Sequence, residues 1–271
     1  MAPFADATAV CRTAPGFFEA EIKPGWDILG NANGGYLIAT AGRAMAATAQ
    51  RPDPVSMTAH YLSPGRAGPV GLETTLVKAG SRFSSVSATM SSTKPVVAAL
   101  GTFGELGRSG SGDDEARLVD GRPPELPEPE ACLPLDRGDE QPSFMKQVEM
   151  RLHPDDAGFA FGKPSGSARM RGWFRLRDAE PIDTIALLCA VDAFPPTIFN
   201  ANLPVGWAPT VELTAHIRAR PEPGWLACAF TSRFVTGGFL EADGELWDST
   251  GELVAQSRQL ALVPREAPTD G

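Results

Sequence analysis

Hydrophobic and polar residues alternate in several short segments of the second half of the chain. Turn-forming sequences such as PEPG, TGG, ADG and STG separate these segments, and the pattern predicts β-strands joined by tight turns. The predicted strands are TVELTAHIRA, WLACAFTSRFV, GFLEADGELWD and GELVAQSRQLALV. The segment before them, DTIALLCAVDAF, is apolar on nearly every side and predicts a helix enclosed by other structure. Antiparallel strands after one enclosed helix indicate an α+β unit in which a curled sheet wraps around that helix.

The first half of the chain repeats this order of elements. Its helix is predicted over GGYLIATAGRAMAATAQ, and the segment VSMTAH at 55–60 recurs as VELTAH at 211–216, an offset of 156 residues. The pairs Ser92-Thr93 and Val97-Ala98 recur as Ser249-Thr250 and Val254-Ala255, an offset of 157 residues. Two matches at nearly one offset support each other and indicate an internal duplication. The α+β unit is therefore predicted to occur twice.

The segment between the halves, residues 105–142, differs from both in composition. It holds six prolines and a glycine-serine run, and it shows neither helical nor strand periodicity, which is typical of an interdomain linker. The sequence therefore predicts one domain over 1–104, a linker over 105–142, a second domain over 143–265 and a tail over 266–271.

Composition and charge are those of a globular protein of two domains. The chain has 271 residues, of which 42% are hydrophobic and 21% are charged. Its net charge of −9 is concentrated in the predicted linker, where eleven acidic and four basic residues stand. The remainder is close to neutral, so the charge does not exclude a polyanionic ligand such as coenzyme A.

Cysteine usage and the first residues predict a soluble, cytoplasmic protein that is not exported. The four cysteines form no CxxC pair and are too sparse for a disulfide framework, which favours a reducing compartment. The start of the chain lacks a basic region followed by an apolar stretch, and no apolar run approaches the roughly 20 residues of a membrane helix.

The order and spacing of six segments resemble a known family, the double-hotdog acyl-CoA thioesterases of the bacterial thioesterase II type. These segments are NANGGYLIATAGRAM, PVSMTAHYLSPG, VKAGSRFSSVSATM, CAVDAF, APTVELTAHIR and ELVAQSRQLAL. The similarity covers nearly the whole chain outside the linker. It implies that each half is a hotdog, a sheet curled around a central helix, and that the halves pair as a pseudo-dimer. It also implies a role in lipid metabolism and homodimers of such double units.

The resemblance further implies which residues act. In the family an aspartate, a threonine and a glutamine hold and activate the water that attacks the thioester, and these positions fall on Asp192, Thr210 and Gln259. The chain departs from the family at the neighbouring pairs Glu212-Leu213 and Leu260-Ala261, where the family often has Asp-His and Glu-Gly. These departures bear on substrate preference more than on the reaction.

The three residue types also support structural interpretations. A carboxylate in an apolar helix is costly unless it is hydrogen-bonded, so Asp192 is either functional or exposed at the end of the helix. By strand alternation Gln259 lies among small and apolar neighbours, where its amide needs hydrogen-bond partners. Backbone groups would be sufficient partners without any catalytic role. Alternation places Thr210 on the more polar face with Glu212, as an ordinary threonine at a strand start, although Pro209 would allow a local bend.

The duplication predicts where the site lies, because a repeated fold needs its strands twice but a catalytic set only once. The first helix contains no acidic residue, and the positions that match Thr210 and Gln259 are Pro54 and Thr102. One site per chain, in the second half, is therefore expected. His60 and His216 stand at equivalent positions, which favours a structural role for both.

Further residues are candidates for substrate binding. The N–H groups of Gly34 and Gly35 open the first helix and would polarise a thioester carbonyl, although a tight turn also explains these glycines. For the coenzyme A phosphates the candidates are Lys78, Arg82 and Arg233, which are equally explained as solvated charges at strand ends.

Other chemistries lack their motifs. The sequence has no GxSxG, GxxxxGK[ST] or HExxH motif, and three scattered histidines make a metal site improbable. The sequence predicts an acyl-CoA thioesterase without a cofactor, with the acyl chain in an apolar channel between the halves. The alternatives are an acyl-binding protein without turnover and another thioester reaction, hydration or acyl transfer, on the same fold.

Overall fold

The structure is a computed structural model that describes residues 3–108, 118–135, 141–177 and 180–264. The predicted tail, 266–271, lies outside the described residues, as do parts of the predicted linker, 109–117 and 136–140. Antiparallel strands dominate the described chain, and two buried helices pack against them.

The first half contains helices α1 (Phe4–Ala7) and α2 (Gly34–Ala49) and eight strands among its described residues. The strands are β1 (Val10–Ala14), β2 (Phe17–Ile22), β3 (Asp27–Ile28), β4 (Asn31–Ala32), β5 (Asp53–Tyr61), β6 (Gly68–Ala79), β7 (Ser84–Ser91) and β8 (Pro95–Gly104). Helix α2 agrees with the prediction. The side chain of Asn33 caps its N-terminus by accepting a hydrogen bond from the N–H of Tyr36, 2.9 Å away.

The described chain after residue 108 contains helix α3 (Thr184–Ala190) and strands β9 to β16, of which β9 lies in the predicted linker and the others lie in the second half. The strands are β9 (Leu133–Pro134), β10 (Val148–Leu152), β11 (Arg169–Leu176), β12 (Thr210–Ile217), β13 (Leu226–Thr231), β14 (Val235–Thr236), β15 (Phe239–Trp247) and β16 (Leu253–Leu262). The four strands predicted from alternation are confirmed as β12, β13, β15 and β16. The helix is shorter than predicted, because it ends at Ala190 and leaves Asp192 in the turn that follows.

The described strands of both halves belong to one hydrogen-bonded sheet, except β3 and β4, which pair only with each other. Its order is β1-β2-β6-β7-β8-β5-β12-β16-β15-β13-β11-β10-β9, every neighbouring pair is antiparallel, and β14 adds to β15. The halves meet through β5 and β12, where Thr58 lies opposite Thr214. The hydroxyl oxygens of these two equivalent threonines are 2.9 Å apart, so the centre of the pairing lies at the same position of both repeats.

Helices α2 and α3 lie in the core. Helix α2 packs against β5, β6, β7 and β8, helix α3 packs against β5 and β12, and the two helices contact each other. All seven residues of α3 are buried. The helices approach closely at Gly35, where a Cβ would lie 2.7 Å from the carbonyl oxygen of Cys189. This contact requires glycine, and it brings the start of α2 against the end of α3.

Candidate active site

Asp192 lies in the turn after α3, and its carboxylate meets the N-terminus of α2. The N–H of Gly35 donates to Oδ2 at 2.8 Å, and the side-chain amide of Asn33 donates to the same oxygen at 3.3 Å. Asn33 also donates to the backbone oxygen of Asp192 at 3.0 Å. The first half therefore supplies donors to an acidic residue of the second half, at a helix end whose dipole favours negative charge.

Gln259 joins Asp192 to Thr210. Its Nε2 donates to Asp192 Oδ1 at 2.9 Å and to Thr210 Oγ1 at 2.5 Å. The structure thus brings the three residues predicted for the water site into one hydrogen-bonded group. The alternative in which Gln259 is satisfied by backbone groups does not describe this arrangement, because its amide nitrogen serves two side chains.

A β-bulge places Thr210 in this group. Strict alternation predicts that Thr210 faces the same side as Glu212, and this prediction is wrong. Thr210 pairs with Ala261 and Glu212 pairs with Leu260, so the register shifts between them and Val211 is the extra residue. The shift puts Thr210 on the side of the fully buried Leu213, which lies opposite Gln259.

The same bulge occurs in the first half, where the register of β5 and β8 shifts between Pro54 and Ser56. Pro54 therefore occupies the position equivalent to Thr210, as the sequence predicts. The counterpart of Gln259 is Gly101 and not Thr102, because Met57 lies opposite Gly101 as Leu213 lies opposite Gln259. The sequence match between the last strands of the two halves, at an offset of 157 residues, therefore differs by one residue from the register in the structure.

The first half has no room for a glutamine at this position. A Cβ on Gly101 would lie 2.9 Å from the ring of Phe103 and 3.1 Å from the terminal methyl of Met45. The space that Gln259 fills in the second half is therefore filled by apolar side chains in the first. Within the described residues the three-residue group occurs once.

Burial controls the acidity of the group. It raises the pKa of Asp192 from 3.8 to about 6, against the opposing effects of the hydrogen bonds from Gly35, Gln259 and Asn33. Asp192 is therefore mostly charged at neutral pH, yet it is a much stronger base than an exposed aspartate. Burial also raises the pKa of the neighbouring Cys189, so this thiol stays protonated at neutral pH.

The two glycines of the helix opening have different partners. The N–H of Gly35 is bonded to Asp192, so it orients the carboxylate. The N–H of Gly34 has no hydrogen-bond acceptor in the described part of the chain. Gly34 also lines an adjacent cavity and Gly35 does not, so the candidate donor to a substrate carbonyl is Gly34.

A cavity of about 380 Å³ opens beside this group, and Asp192, Thr210, Gln259 and Gly34 form part of its wall. The rest of the wall is largely apolar and comes from both halves. Five aromatic residues contribute to it: Phe159, Phe194, Phe199, Trp207 and Phe230. The arrangement combines a polar end with an apolar body, which is typical of a site for an amphipathic small molecule.

The predicted coenzyme A contacts lie away from this wall. Lys78 and Arg82 are exposed on the hairpin of β6 and β7. The Cζ atom of Arg82 lies over the ring of Phe83, 5.4 Å from the ring centre. Arg233 is exposed in the second half and lies 3.4 Å from Asp243. None of the three lines the cavity. The equivalent His60 and His216 are both exposed and do not line it either.

Asn33 is the site residue that the sequence interpretation missed. The signal was present, because an asparagine before the helical glycines predicts a capping side chain. The cap uses only the amide oxygen, and the amide nitrogen is left to donate to Asp192. Its partner is 159 residues away in the chain, so the second contact has no local signature.

Among the described residues, every helix is too short or too polar to span a membrane. No group of three or more histidine, cysteine, aspartate or glutamate residues there is placed to hold a metal ion.

Comparisons with known proteins agree over most of the chain. Residues 22–104 match the family model of the acyl-CoA thioesterase N-terminal domain, and residues 129–263 match that of the C-terminal domain. Uncharacterized protein Rv0499 of Mycobacterium tuberculosis is 31% identical over 268 residues, covering 92% of this chain and 91% of the relative.

Solved structures share the fold. A thioesterase II candidate from Thermobifida fusca YX superposes with a TM-score of 0.87 at 32% identity, covering 97% of both chains. A protein of unknown function with a hot dog fold from Alicyclobacillus acidocaldarius superposes with a TM-score of 0.82 at 23% identity, covering 97% of this chain and 98% of the other. The second likeness is one of fold alone.

Proposed function

The chain belongs to the acyl-CoA thioesterase family, and on that premise we propose that it hydrolyses a fatty or related acyl-CoA thioester with water activated at Asp192. The observation that carries the proposal is the hydrogen-bonded group of Asp192, Thr210 and Gln259 at the wall of an apolar cavity. A charged base beside an apolar cavity suits a substrate with one polar reacting group and an apolar chain.

The proposed reaction begins with proton transfer from water to Asp192. Oδ2 is held by Gly35 and Asn33, so Oδ1 is the oxygen that accepts the proton. The water oxygen attacks the carbonyl carbon of the thioester, and the C–S bond breaks. The proton then passes from Asp192 to the leaving thiolate, which departs as coenzyme A thiol while the acyl group departs as the acid.

Thr210 and Gln259 orient the reacting groups in this proposal. Gln259 fixes Oδ1 and uses its second amide hydrogen on the oxygen of Thr210. The hydroxyl hydrogen of Thr210 is then directed to another acceptor, which we assign to the water or the substrate. The free N–H of Gly34 would stabilise the negative charge that develops on the carbonyl oxygen.

The finer architecture is part of the proposal. We infer two hotdog units, each with its sheet curled on a central helix, because both halves repeat the same bulge and meet at equivalent strands. The predicted domains 1–104 and 143–265 remain proposals. Part of the predicted linker contacts the second half, because β9 pairs with β10. Binding of the coenzyme A phosphates by Lys78, Arg82 and Arg233, and assembly into homodimers, are also proposed.

A panel of acyl-CoA substrates from short to long tests the function. We expect release of free thiol that depends on chain length, and loss of most of the rate in Asp192→Asn with binding retained. Asp155→Asn is the matched control, because its side chain is 74% exposed and does not line the cavity. If no acyl-CoA of the panel released thiol, hydrolysis would be abandoned. Binding without turnover would indicate an acyl-binding protein, and products other than the free acid would indicate hydration or acyl transfer.

A further inference from the structure

Tyr61 is a half-buried residue beside the candidate base, and the proposed mechanism leaves it unused. It ends strand β5 of the first half, and its hydroxyl is buried without a hydrogen-bond partner among the described residues. A Cβ built on Gly34 would lie 2.9 Å from this hydroxyl and 2.8 Å from Asp192 Oδ2. The tyrosine hydroxyl and the carboxylate oxygen therefore lie against the same face of Gly34, so they are neighbours.

A buried hydroxyl without a partner is unfavourable, since it loses its hydrogen bonds to water and gains none in return. The chain holds two tyrosines, which makes the contrast direct. The hydroxyl of Tyr36 is also buried, but it donates to the carbonyl oxygen of Ala7 at 2.8 Å and accepts from the N–H of Lys23 at 3.0 Å. Phenylalanine would remove the cost at Tyr61, so the hydroxyl there requires an explanation.

The duplication points to the carboxylate as that explanation. Tyr61 and Ile217 stand at equivalent positions, the ends of β5 and β12, and Ile217 is buried and apolar. Of these two equivalent positions, only Tyr61 carries a hydroxyl, and only Tyr61 lies beside Asp192. This is the same asymmetry that separates Gln259 from Gly101 and Thr210 from Pro54.

We propose, on the basis of the proposed function, that Tyr61 is a positioning residue for Asp192. The hydroxyl of Tyr61 donates a hydrogen bond to Oδ2 of Asp192 when this carboxylate is charged. Oδ2 already accepts from the N–H of Gly35 and, at 3.3 Å, from the side chain of Asn33, and the hydroxyl of Tyr61 would be its third donor. Donors gathered on Oδ2 leave Oδ1 as the oxygen that accepts the proton from water.

The surroundings allow this role. The titratable groups that face Tyr61 are Asp192 and Cys189 from the α3 side and Glu212 from β12. Burial raises the pKa of Tyr61 well above its ordinary value, and so does the neighbouring Asp192, so the phenol keeps its proton and remains a donor. Glu212 is engaged by the hydroxyl of Thr214 at 2.6 Å.

Nuclear magnetic resonance of protein labelled with [13Cζ]tyrosine tests the contact without requiring turnover. Two signals are expected, and Tyr36→Phe assigns the remaining one to Tyr61. We expect the Tyr61 signal to shift with a midpoint near pH 6, where Asp192 titrates, and to lose this transition in Asp192→Asn. A Tyr61 signal that stays flat in the wild type would overturn the proposal. So would a transition that persists in Asp192→Asn, because a group other than Asp192 would then be its source.

The kinetic test uses both tyrosines as a matched pair. Tyr61→Phe should move the acid limb of the kcat/KM profile upward by about one pH unit, because a hydrogen bond to a charged group is lost, with KM nearly unchanged. Tyr36→Phe should leave the acid limb in place. An unmoved limb in Tyr61→Phe, or an equal shift in both variants, contradicts the proposal. If no acyl-CoA is hydrolysed, the proposed function fails while the resonance experiment still decides the contact.

Discussion

Replacing Asp192 by asparagine should change how the stability of the protein depends on pH. Burial raises the pKa of Asp192 from 3.8 to about 6, despite the donors around it. The charged form is therefore disfavoured in the folded state relative to the unfolded state. Asparagine has nearly the same shape and cannot ionise, so the variant isolates the free energy linked to this one carboxyl group.

The sign follows from where the protons are bound. At pH values below 3.8 the carboxyl is neutral in both states and costs nothing. As the pH rises toward 6, the unfolded chain ionises first while the folded chain keeps its proton, so the free energy of unfolding falls. Above that range the loss is complete. The difference between a pKa of about 6 and 3.8 corresponds to about 3 kcal/mol.

Urea unfolding of the wild type and of Asp192→Asn over the range from about pH 4 to about pH 8 measures this effect. The free energy of unfolding of the variant minus that of the wild type should rise by up to about 3 kcal/mol from the acidic end of the range to the alkaline end. The asparagine amide lies among the hydrogen-bond donors that surround Asp192 in the wild type, which is unfavourable. This cost is the same at every pH, so it cancels in the comparison. A difference between wild type and Asp192→Asn that stays constant with pH would refute the burial argument.

Three further substitutions test other parts of the structure. Gln259→Ala removes the donor to Oδ1, so kcat/KM should fall roughly 100-fold and its acid limb should move to higher pH, as measured by a pH profile with one acyl-CoA. Gly34→Ala places a methyl group 2.8 Å from the carboxylate oxygen of Asp192, so both kcat and the melting temperature should fall, with a stability loss of about 1–3 kcal/mol. Arg220→Ala leaves the buried carboxylate of Asp53 without its cation, 2.8 Å away, and should lower the free energy of unfolding by about 3 kcal/mol in urea titrations.

Controls for these variants come from the same chain. A Cβ on Gly71 would meet nothing within 4 Å, so Gly71→Ala should leave the melting temperature and kcat in place. Arg122 pairs with Glu125 while both side chains are at least 80% exposed, so Arg122→Ala should cost less than about 1 kcal/mol. Equal losses in Gly34→Ala and Gly71→Ala would contradict the crowding at Gly34. Equal losses in the two arginine variants would contradict the burial of Asp53.

The sequence alone predicted much of the fold. Alternation predicted β12, β13, β15 and β16, because one face of each strand packs on the core while the other does not, and that difference is local. The duplication was visible because both halves need the same core positions. The resemblance to the thioesterase family gave Asp192, Thr210 and Gln259, and the family itself is confirmed by the matches over both halves.

The tertiary structure decided the positions on which the site depends. The bulge at Val211 turned Thr210 toward Gln259, and the register made Gly101, not Thr102, the counterpart of Gln259. Both features shift side chains by one residue, and a one-residue shift reverses the face of a strand. Asn33 and Gly35 donate to Asp192 from the other half of the chain, and Tyr61 lies beside it. Periodicity along a sequence records which side of an element faces the core, whereas such contacts depend on how elements far apart in the chain pack together.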